Sequence, residues 1–286
     1  MILRTEKSAA LDKFLKAGKT NSRVLGKVER HILSTPRDES RRSDLLHPSA
    51  MVSPSWCHRA SYFHLLGHEP APRPITLNQH MIFAEGHRIH EVWQDVFRDM
   101  GTLYGMWEMM ETGATYWGFA SDHDDKYTVK YREVPLDNEE LMITGHADGW
   151  LVGFGEPLLL EVKSIGIGSM RYYSPGLVKA DSDFAAAWKA IETPFESHIS
   201  QVQLYLKLLE LSDHEVTPQE AIIIYESKVN QEVKEFVIRK DSWGINHLLD
   251  AAKMIVEAVK TRTPPDCNNG GRMLCQGCKG YKDEQK

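Results

Sequence analysis

LMITGHADGWLVGFGEPLLLEVKS, residues 141–164, contains two apolar runs on either side of the turn sequence GFGEP. This pattern predicts two strands that the turn folds against each other. Side chains alternate between the two faces of a strand, so Glu161 and Lys163 share one face while Val162 points into the core. Asp148 ends the first run, and we expect it to approach Glu161 on the solvent-facing side of the strand pair.

Two adjacent carboxylates repel each other unless a cation lies between them. Mg²⁺ or Mn²⁺ is the natural partner for such hard oxygen ligands. Lys163 could position and help to deprotonate a water on that ion, or stabilise a developing negative charge. This arrangement is typical of phosphodiester hydrolysis. The alternative is a chance combination of an Asp in a turn with a Glu-x-Lys strand.

Two helices add candidate residues to this pair of carboxylates. His90, in FAEGHRIHEVW, lies on the same side of its helix as Trp93 and is either a packed histidine or a nitrogen ligand that favours Mn²⁺. Gln201 and Tyr205 form an i, i+4 pair that is either an ordinary helix surface or a polar face turned towards the metal. In the second case Gln201 would hold a water or phosphate, and Tyr205 would bond near the backbone.

The elements around these residues alternate between helix and strand. Residues 77–100 carry a helical apolar stripe, and Thr193, Pro194 and Glu196 predict a capped helix start before ISQVQLYLKLLEL. The remaining predictions are strands in YREVPL, AIIIYESK and KEFVIRK, hairpins and loops over 102–130, and an amphipathic helix near 242–260. The stripe residues are Ile82, Ile89, Val92, Trp93, Val96, Phe97 and Met100. The order predicts an α/β or α+β domain with a central sheet.

Composition excludes several classes of protein. The chain has 286 residues, 42% hydrophobic and 26% charged, so a core can form and disorder of the whole chain is excluded. An apolar run of about 18 residues, needed to span a membrane, is missing. The N-terminal sequence also lacks the apolar block of a signal peptide, so we expect a cytoplasmic protein, in the host cytoplasm if it is viral.

Charge is distributed unevenly along the chain. The net charge is −6, yet residues 1–46 hold 11 basic and 6 acidic side chains, which leaves −11 for the rest. We expect residues 1–46 to form a basic helical extension, with 35–46 as a linker, and residues 47–286 to form the main domain. A solvated charged face explains the extension slightly better than a basic arm for a polyanion, because acids are interspersed.

The four cysteines predict a metal or cluster site. Cys57 lies in SPSWCHRASYFHLLG, whereas Cys267, Cys275 and Cys278 crowd the C-terminus, the last two as Cys-x-x-Cys. Four thiolates suit a [4Fe–4S] cluster or zinc. His58, next to Cys57, is an additional candidate ligand if the metal is zinc. Such a site would tie the two ends of the domain together. Unrelated free thiols are the remaining alternative.

Taken in order, these motifs resemble the RecB-like branch of the PD-(D/E)XK nuclease superfamily, and in particular its iron–sulfur members, which include CRISPR-associated exonucleases, AddB-type nuclease domains and phage relatives. The resemblance covers roughly residues 50–280. The matching pieces are Cys57-x-Arg59 with Tyr62, Gly86-x-x-x-His90, Gly145-His146-Ala147-Asp148-Gly149, Glu161-Val162-Lys163, Gln201-x-x-x-Tyr205, and Pro264-Pro265-x-Cys267 with Cys275 and Cys278. One departure is the cysteine spacing, since those relatives usually place Cys-x-x-Cys before the last cysteine.

The resemblance implies a restriction-endonuclease-like core with a mixed sheet between helices. It also implies metal ligation by His90, Asp148 and Glu161 and a structural [4Fe–4S] cluster, or zinc, on the four cysteines. The implied catalytic residues are Lys163, Asp148, Glu161, Gln201 and Tyr205. The implied activity is a metal-dependent DNA exonuclease acting on single strands or DNA ends, in recombination, repair, phage DNA processing or CRISPR adaptation, with partner proteins from those processes. An endonuclease on the same fold and a non-catalytic, metal-stapled DNA-binding module are the alternatives.

The segment after Lys163 supplies candidate DNA contacts. Its charged, hydroxyl and aromatic side chains could hold a DNA backbone and stack bases, and an ordinary surface loop is an equal alternative. The candidates are Ser164, Ser169, Arg171, Tyr172, Tyr173 and Lys179.

Overall fold

The structure is a computed structural model that describes residues 24–35, 42, 44–68, 75–178, 184–212, 217–241, 244–269, 275 and 278. The chain divides into two units. Within the described residues, the first unit comprises 24–35 and 75–84, and the second comprises all the others. None of the described helices is long and apolar enough to span a membrane.

In this described part of the chain, the α-helices are α1 (Leu25–Ser34), α2 (Pro48–Met51), α3 (His58–Leu65), α4 (Leu77–Asp99), α5 (Ile167–Tyr173), α6 (Phe184–Lys189), α7 (Glu196–Glu210) and α8 (Asn246–Thr261). Short 3₁₀ helices occupy Ala120–Asp122 and Pro175–Leu177. The strands are β1 (Leu103–Met109), β2 (Thr115–Gly118), β3 (Val129–Arg132), β4 (Val134–Pro135), β5 (His146–Ala147), β6 (Gly149–Leu151), β7 (Leu158–Ile165), β8 (Glu220–Ser227) and β9 (Val233–Arg239).

A mixed sheet forms the centre of the second unit. Its strand order is β2-β1-β6-β7-β8-β9, and β3 also pairs with β1. Strands β7 and β8 run parallel, while the other pairs of this sheet are antiparallel. The antiparallel pairing of β6 with β7 through GFGEP confirms the predicted turn. Strand β7 is therefore an interior strand, and both of its edges are hydrogen-bonded.

Helices cover both faces of this sheet. Leu159, Ala221 and Ile223 pack towards α7 and α8 in the larger core. The alternate residues Leu160 and Val162 pack on the other face, where α4 contributes apolar side chains. This alternation follows from the two-residue period of a strand and confirms that Val162, fully buried, points into the core.

Helix α4 confirms the helix predicted over 77–100, but the apolar stripe is partly wrong. Ile89 and Phe97 are buried and Trp93 packs against them, whereas Val92, Val96 and Met100 are exposed, as is Ile82. A long helix against one sheet face buries a narrower stripe than the i, i+3, i+4, i+7 template assumes.

The predicted capped start at Thr193 is wrong. Helix α7 begins at Glu196 with Phe195 as its N-cap residue, and no side chain of the described residues provides the cap hydrogen bond. Packing decides this boundary, because the Phe195 ring is buried and its backbone N–H donates to the Tyr225 hydroxyl at 2.8 Å.

His198 makes stability dependent on pH. It is 3% exposed with Nδ1 at 2.6 Å from the Tyr225 hydroxyl, and burial, followed by the charge of Lys163, lowers its pKa to about 2. The unfolded chain binds a proton here below about pH 6.5 and the folded chain does not, so stability is lost as pH falls. We expect the free energy of unfolding to fall by about 2 kcal/mol more between pH 7 and pH 5 in the wild type than in His198→Gln.

Urea unfolding at each pH measures this difference. His146→Gln, at an exposed position, is the matched control. Equal pH dependence in wild type and His198→Gln would contradict a buried neutral imidazole.

Candidate active site

Asp148 lies at a break between two short strands. Its neighbours Ala147 and Gly149 belong to β5 and β6, which are in different sheets. Gly149 packs tightly here, because a Cβ at this position would lie 3.0 Å from the Leu103 side chain. The continuous strand predicted over 141–152 is therefore interrupted at Asp148, and the bend directs this carboxylate towards neighbouring elements.

The Asp148 carboxylate joins α4 to β7. Its Oδ1 lies 3.0 Å from Nδ1 of His90, and its Oδ2 accepts the backbone N–H of Val162 at 2.6 Å. Gln94, one turn after His90, donates to the Asp148 carbonyl at 2.9 Å. The predicted approach of Asp148 to the Glu161–Lys163 strand is present, but neither carboxylate faces solvent, because Asp148 is 5% and Glu161 2% exposed.

Helix α7 covers the other side of Glu161. The Glu161 Oε1 forms an ion pair with Lys163 and accepts from Gln201 Nε2 at 3.1 Å. The same Gln201 nitrogen donates to the Tyr205 hydroxyl at 2.7 Å. The polar face predicted on this helix therefore does turn to the carboxylates. Tyr205, however, is bonded to the Gln201 side chain rather than near the backbone, since both residues are buried one turn apart.

Glu133 completes the group, and the sequence interpretation missed it. One carboxylate oxygen of Glu133, one of Asp148 and a ring nitrogen of His90 lie within 4.8 Å of one another. Glu133 is the single residue between β3 and β4. The sequence feature that could have pointed to it is an acidic residue inside the predicted strand YREVPL. More than a third of its surface is exposed, but burial and the charge of Asp148 raise its pKa to about 7.

The electrostatics of this cluster match a cation site. Burial, partly opposed by Lys163, raises the pKa of Glu161 to about 7. Burial lowers the pKa of His90, but the charge of Asp148 and the hydrogen bond to it outweigh burial and give a net increase. Glu161 Oε2 is buried without a hydrogen-bond partner among the described residues. A divalent cation would relieve both the carboxylate repulsion and this uncompensated oxygen.

The candidate DNA contacts are only partly brought together. Tyr172 is 52% exposed with its hydroxyl 2.9 Å from Ser53 Oγ, and Tyr173 is 37% exposed and stacks on Phe195. Arg171 is exposed, Ser164 lies in β7 and Ser169 lies in α5. Lys179 lies outside the described residues.

The four cysteines converge as predicted. Cys57 is the N-cap of α3 and accepts the Ala60 N–H on Sγ at 3.4 Å. The Cys57 sulfur lies 3.2 Å from that of Cys278 and 3.9 Å from that of Cys267, and all four sulfurs lie within 4.8 Å of one another. No disulfide links them, so this is a group of free thiols. The predicted connection between residue 57 and the C-terminal cysteines is therefore present in space.

Hydrogen bonds hold the two loops of this cysteine group. Asn268 accepts the His58 backbone N–H at 2.9 Å and donates to the Trp56 carbonyl at 3.0 Å, while Asn269 donates to the Ser55 carbonyl at 3.0 Å. The His58 ring packs edge-on against Trp56 and is not a member of the group.

The cysteine pKa values diverge. Burial is the largest influence on Cys275 and raises its pKa. Hydrogen bonds from the Cys278 backbone and from the other three thiols outweigh burial and lower the pKa to about 7. Burial raises the pKa of Cys57 and Cys278. Four thiols this close together can bind a thiophilic metal once they lose their protons.

No protein-family model matches the chain, and no curated protein matches it either. Among solved structures, the chain is similar to an alkaline exonuclease, LHK-Exo, from Laribacter hongkongensis, with 9% identity, coverage of 77% of this chain and 90% of that chain, and a TM-score of 0.46. The structure of LHK-Exo in complex with dAMP is similar with 10% identity, the same coverages and a TM-score of 0.45. At such scores, the function has to be argued from the residues of this chain.

Proposed function

We propose that this protein is a divalent-metal-dependent deoxyribonuclease, most simply an exonuclease on single-stranded DNA or DNA ends. The observation that carries the proposal is the joining of His90, Glu133 and Asp148 into one group, with Asp148 bonded to the strand that bears Glu161 and Lys163. A binding module has no need for buried carboxylates beside a lysine, since burying charge is costly.

The ion, Mg²⁺ or Mn²⁺, would be held by His90, Glu133, Asp148 and the unpartnered Oε2 of Glu161. When bound, it would polarise the scissile phosphate and lower the pKa of an attacking water. The chain's own residues do the rest. Lys163, held in place by Glu161, supplies a positive charge for the negative charge that develops on phosphate oxygens.

Positioning residues surround this group. Gln201 fixes the Glu161 carboxylate and is itself fixed by Tyr205, so the helix sets the direction of the unpartnered oxygen. Gln94 holds the Asp148 backbone. Side chains locked in this way lose little freedom when a substrate binds, which is the condition for efficient catalysis.

A cleft of about 590 Å³ lies beside α5, and the candidate site residues His90, Asp148 and Lys163 are not among its lining residues. Tyr173, Trp56 and Ser200 are among its lining residues. Tyr173 lies near Lys163. Burial raises the pKa of the Tyr173 hydroxyl, and the positive charge of Lys163 partly opposes this increase. Aromatic rings beside a catalytic lysine can stack successive bases of a single strand. Tyr173 lines the cleft, and Arg171 and Tyr172 precede it on α5. Together with Lys179 they are our proposed DNA contacts.

The wider assignment depends on the resemblance described above. It places residues 47–286 in a RecB-like PD-(D/E)XK nuclease domain behind a basic extension of residues 1–46. It also gives the cysteine site the role of a structural staple, as a [4Fe–4S] cluster or zinc. Recombination, repair, phage DNA processing and CRISPR adaptation are the processes, and the sources of partner proteins, that it implies. An endonuclease on the same fold is the alternative function.

Digestion of end-labelled linear and covalently closed circular single-stranded DNA tests the proposal. Wild type should degrade the linear substrate with Mn²⁺ or Mg²⁺ and leave the circle intact, and EDTA should stop the reaction. Lys163→Ala should reduce the rate by roughly 10²-fold or more, because a positioned charge at the reacting phosphate is lost.

The matched control is Lys207→Ala on α7, because Lys207 pairs with Glu210 away from the carboxylates and its loss should leave the rate unchanged. Cleavage of the circular substrate would show that the protein is an endonuclease rather than an exonuclease. If wild type that carries metal in its cysteine site cleaves neither substrate, the proposed nuclease activity is refuted.

A further inference from the structure

We propose that the four-cysteine site binds a single zinc ion rather than the [4Fe–4S] cluster that the resemblance implies. The proposal concerns the site formed by Cys57, Cys267, Cys275 and Cys278 and does not depend on nuclease activity. Its basis is the separation of the four sulfur atoms, which differs between the two kinds of centre.

In a tetrahedral zinc site, all four thiolates bind one ion at about 2.3 Å, so neighbouring sulfurs lie about 3.8 Å apart. In a cubane cluster, each thiolate binds a different iron, and the whole iron–sulfide core must fit between the thiolates. The protein sulfurs are then separated by roughly 6 Å or more. The two centres therefore require cages of clearly different size.

The observed sulfurs match the smaller cage. Cys57 Sγ lies 3.2 Å from Cys278 Sγ and 3.9 Å from Cys267 Sγ, and every pair in the group lies within 4.8 Å. Insertion of a cubane would require the loops to move apart. Separation of Cys57 from Cys267 is opposed by the hydrogen bonds that Asn268 and Asn269 donate to the Trp56 carbonyl and by the one that Asn268 accepts from the His58 N–H.

Ligand spacing and surroundings fit zinc as well as they fit a cluster, so the sulfur separations decide between the two. Cys275 and Cys278 form a Cys-x-x-Cys pair, the spacing with which structural zinc sites hold two ligands. The Ala60 N–H that donates to Cys57 Sγ is a typical outer contact to a metal-bound thiolate. Three of the four cysteines are buried, as expected for a closed structural site without an open coordination position.

Metal and sulfide analysis of the full-length protein tests the proposal. The protein is purified anaerobically from cells supplied with both iron and zinc, so that an oxygen-sensitive cluster would survive. We expect about one zinc per chain, no acid-labile sulfide and no brown colour. Replacement of the metal by Co²⁺ should give the intense visible bands of a tetrahedral thiolate site.

Variants identify the ligands. Cys57→Ser and Cys278→Ser should lower zinc content by roughly tenfold or more. The matched control His58→Ala should keep its zinc, because the His58 ring packs on Trp56 and is not in the cysteine group. Stoichiometric iron with sulfide, iron without sulfide, or a protein without bound metal would each overturn the proposal. Loss of zinc in His58→Ala would show that His58 is a ligand, and the proposed set of four cysteine ligands would be wrong.

Discussion

Asp148→Asn should strongly slow DNA cleavage and weaken Mn²⁺ binding together. The carboxylate oxygens of Asp148 contact His90 and the Val162 N–H, so Asp148 is the residue that joins the helix ligand to the Glu161–Lys163 strand. An amide can keep both hydrogen bonds, which preserves the fold, but it removes the negative charge that a divalent ion requires. We expect a rate loss of about 10³-fold or more, equivalent to about 4 kcal/mol of transition-state stabilisation.

Calorimetric titration with Mn²⁺ measures binding separately from activity, and thermal unfolding confirms that the variant is folded. Asp137→Asn is the matched control, because Asp137 accepts from Thr144 Oγ1 at 2.6 Å and is not a member of the His90 group. Full activity in Asp148→Asn would show that Asp148 does not bind a catalytic metal and would refute the proposed metal site. Glu133→Gln provides a graded comparison, and its smaller expected loss follows from the greater solvent exposure of Glu133.

Cys278→Ser should lower the thermal stability of the protein strongly while leaving it folded. The site connects the start of α3 to the C-terminal cysteines, and loss of a metal that binds only the folded chain removes about 4 kcal/mol or more. In a domain of this size, that corresponds to a fall of about 10 °C in Tm. Hydrogen bonds such as that from Arg59 Nη1 to the Pro265 carbonyl, 3.1 Å, still join the two segments and keep the variant native.

Calorimetric Tm values with and without a strong chelator test this expectation. The chelator should lower the Tm of the wild type and leave that of Cys278→Ser unchanged, since both perturbations remove the same metal. An unchanged Tm and solubility in Cys278→Ser would refute a structural role for the site. A chelator effect of equal size on wild type and variant would locate the stabilising metal elsewhere.

The sequence predicted the local elements and the chemical types of the site. Alternation around Val162, the helical stripe around Ile89 and the turn GFGEP each depend on contacts between near neighbours, so the pattern was sufficient. The grouping of His90, Asp148, Glu161, Lys163 and Gln201 could be anticipated because their motifs follow in a familiar order. Their spatial proximity agrees with that order, while their roles stay predictions.

Long-range packing decided what the sequence could not. The buried Phe195, bonded through its backbone to Tyr225, moves the helix start to Glu196. Glu133 joins the site because it lies where the strand is interrupted between β3 and β4. No rule of residue spacing predicts this interruption.

The sequence by itself therefore determined which residue types are available: a Glu-x-Lys strand, an Asp before a paired strand, and four thiols. Only the tertiary structure decided how far apart they lie. Charge repulsion among carboxylates and the size of a thiolate cage depend on distances of a few ångströms between segments distant in sequence. For the cysteines, the separations within 4.8 Å are the basis of our proposal of a cage for one ion rather than for a cluster.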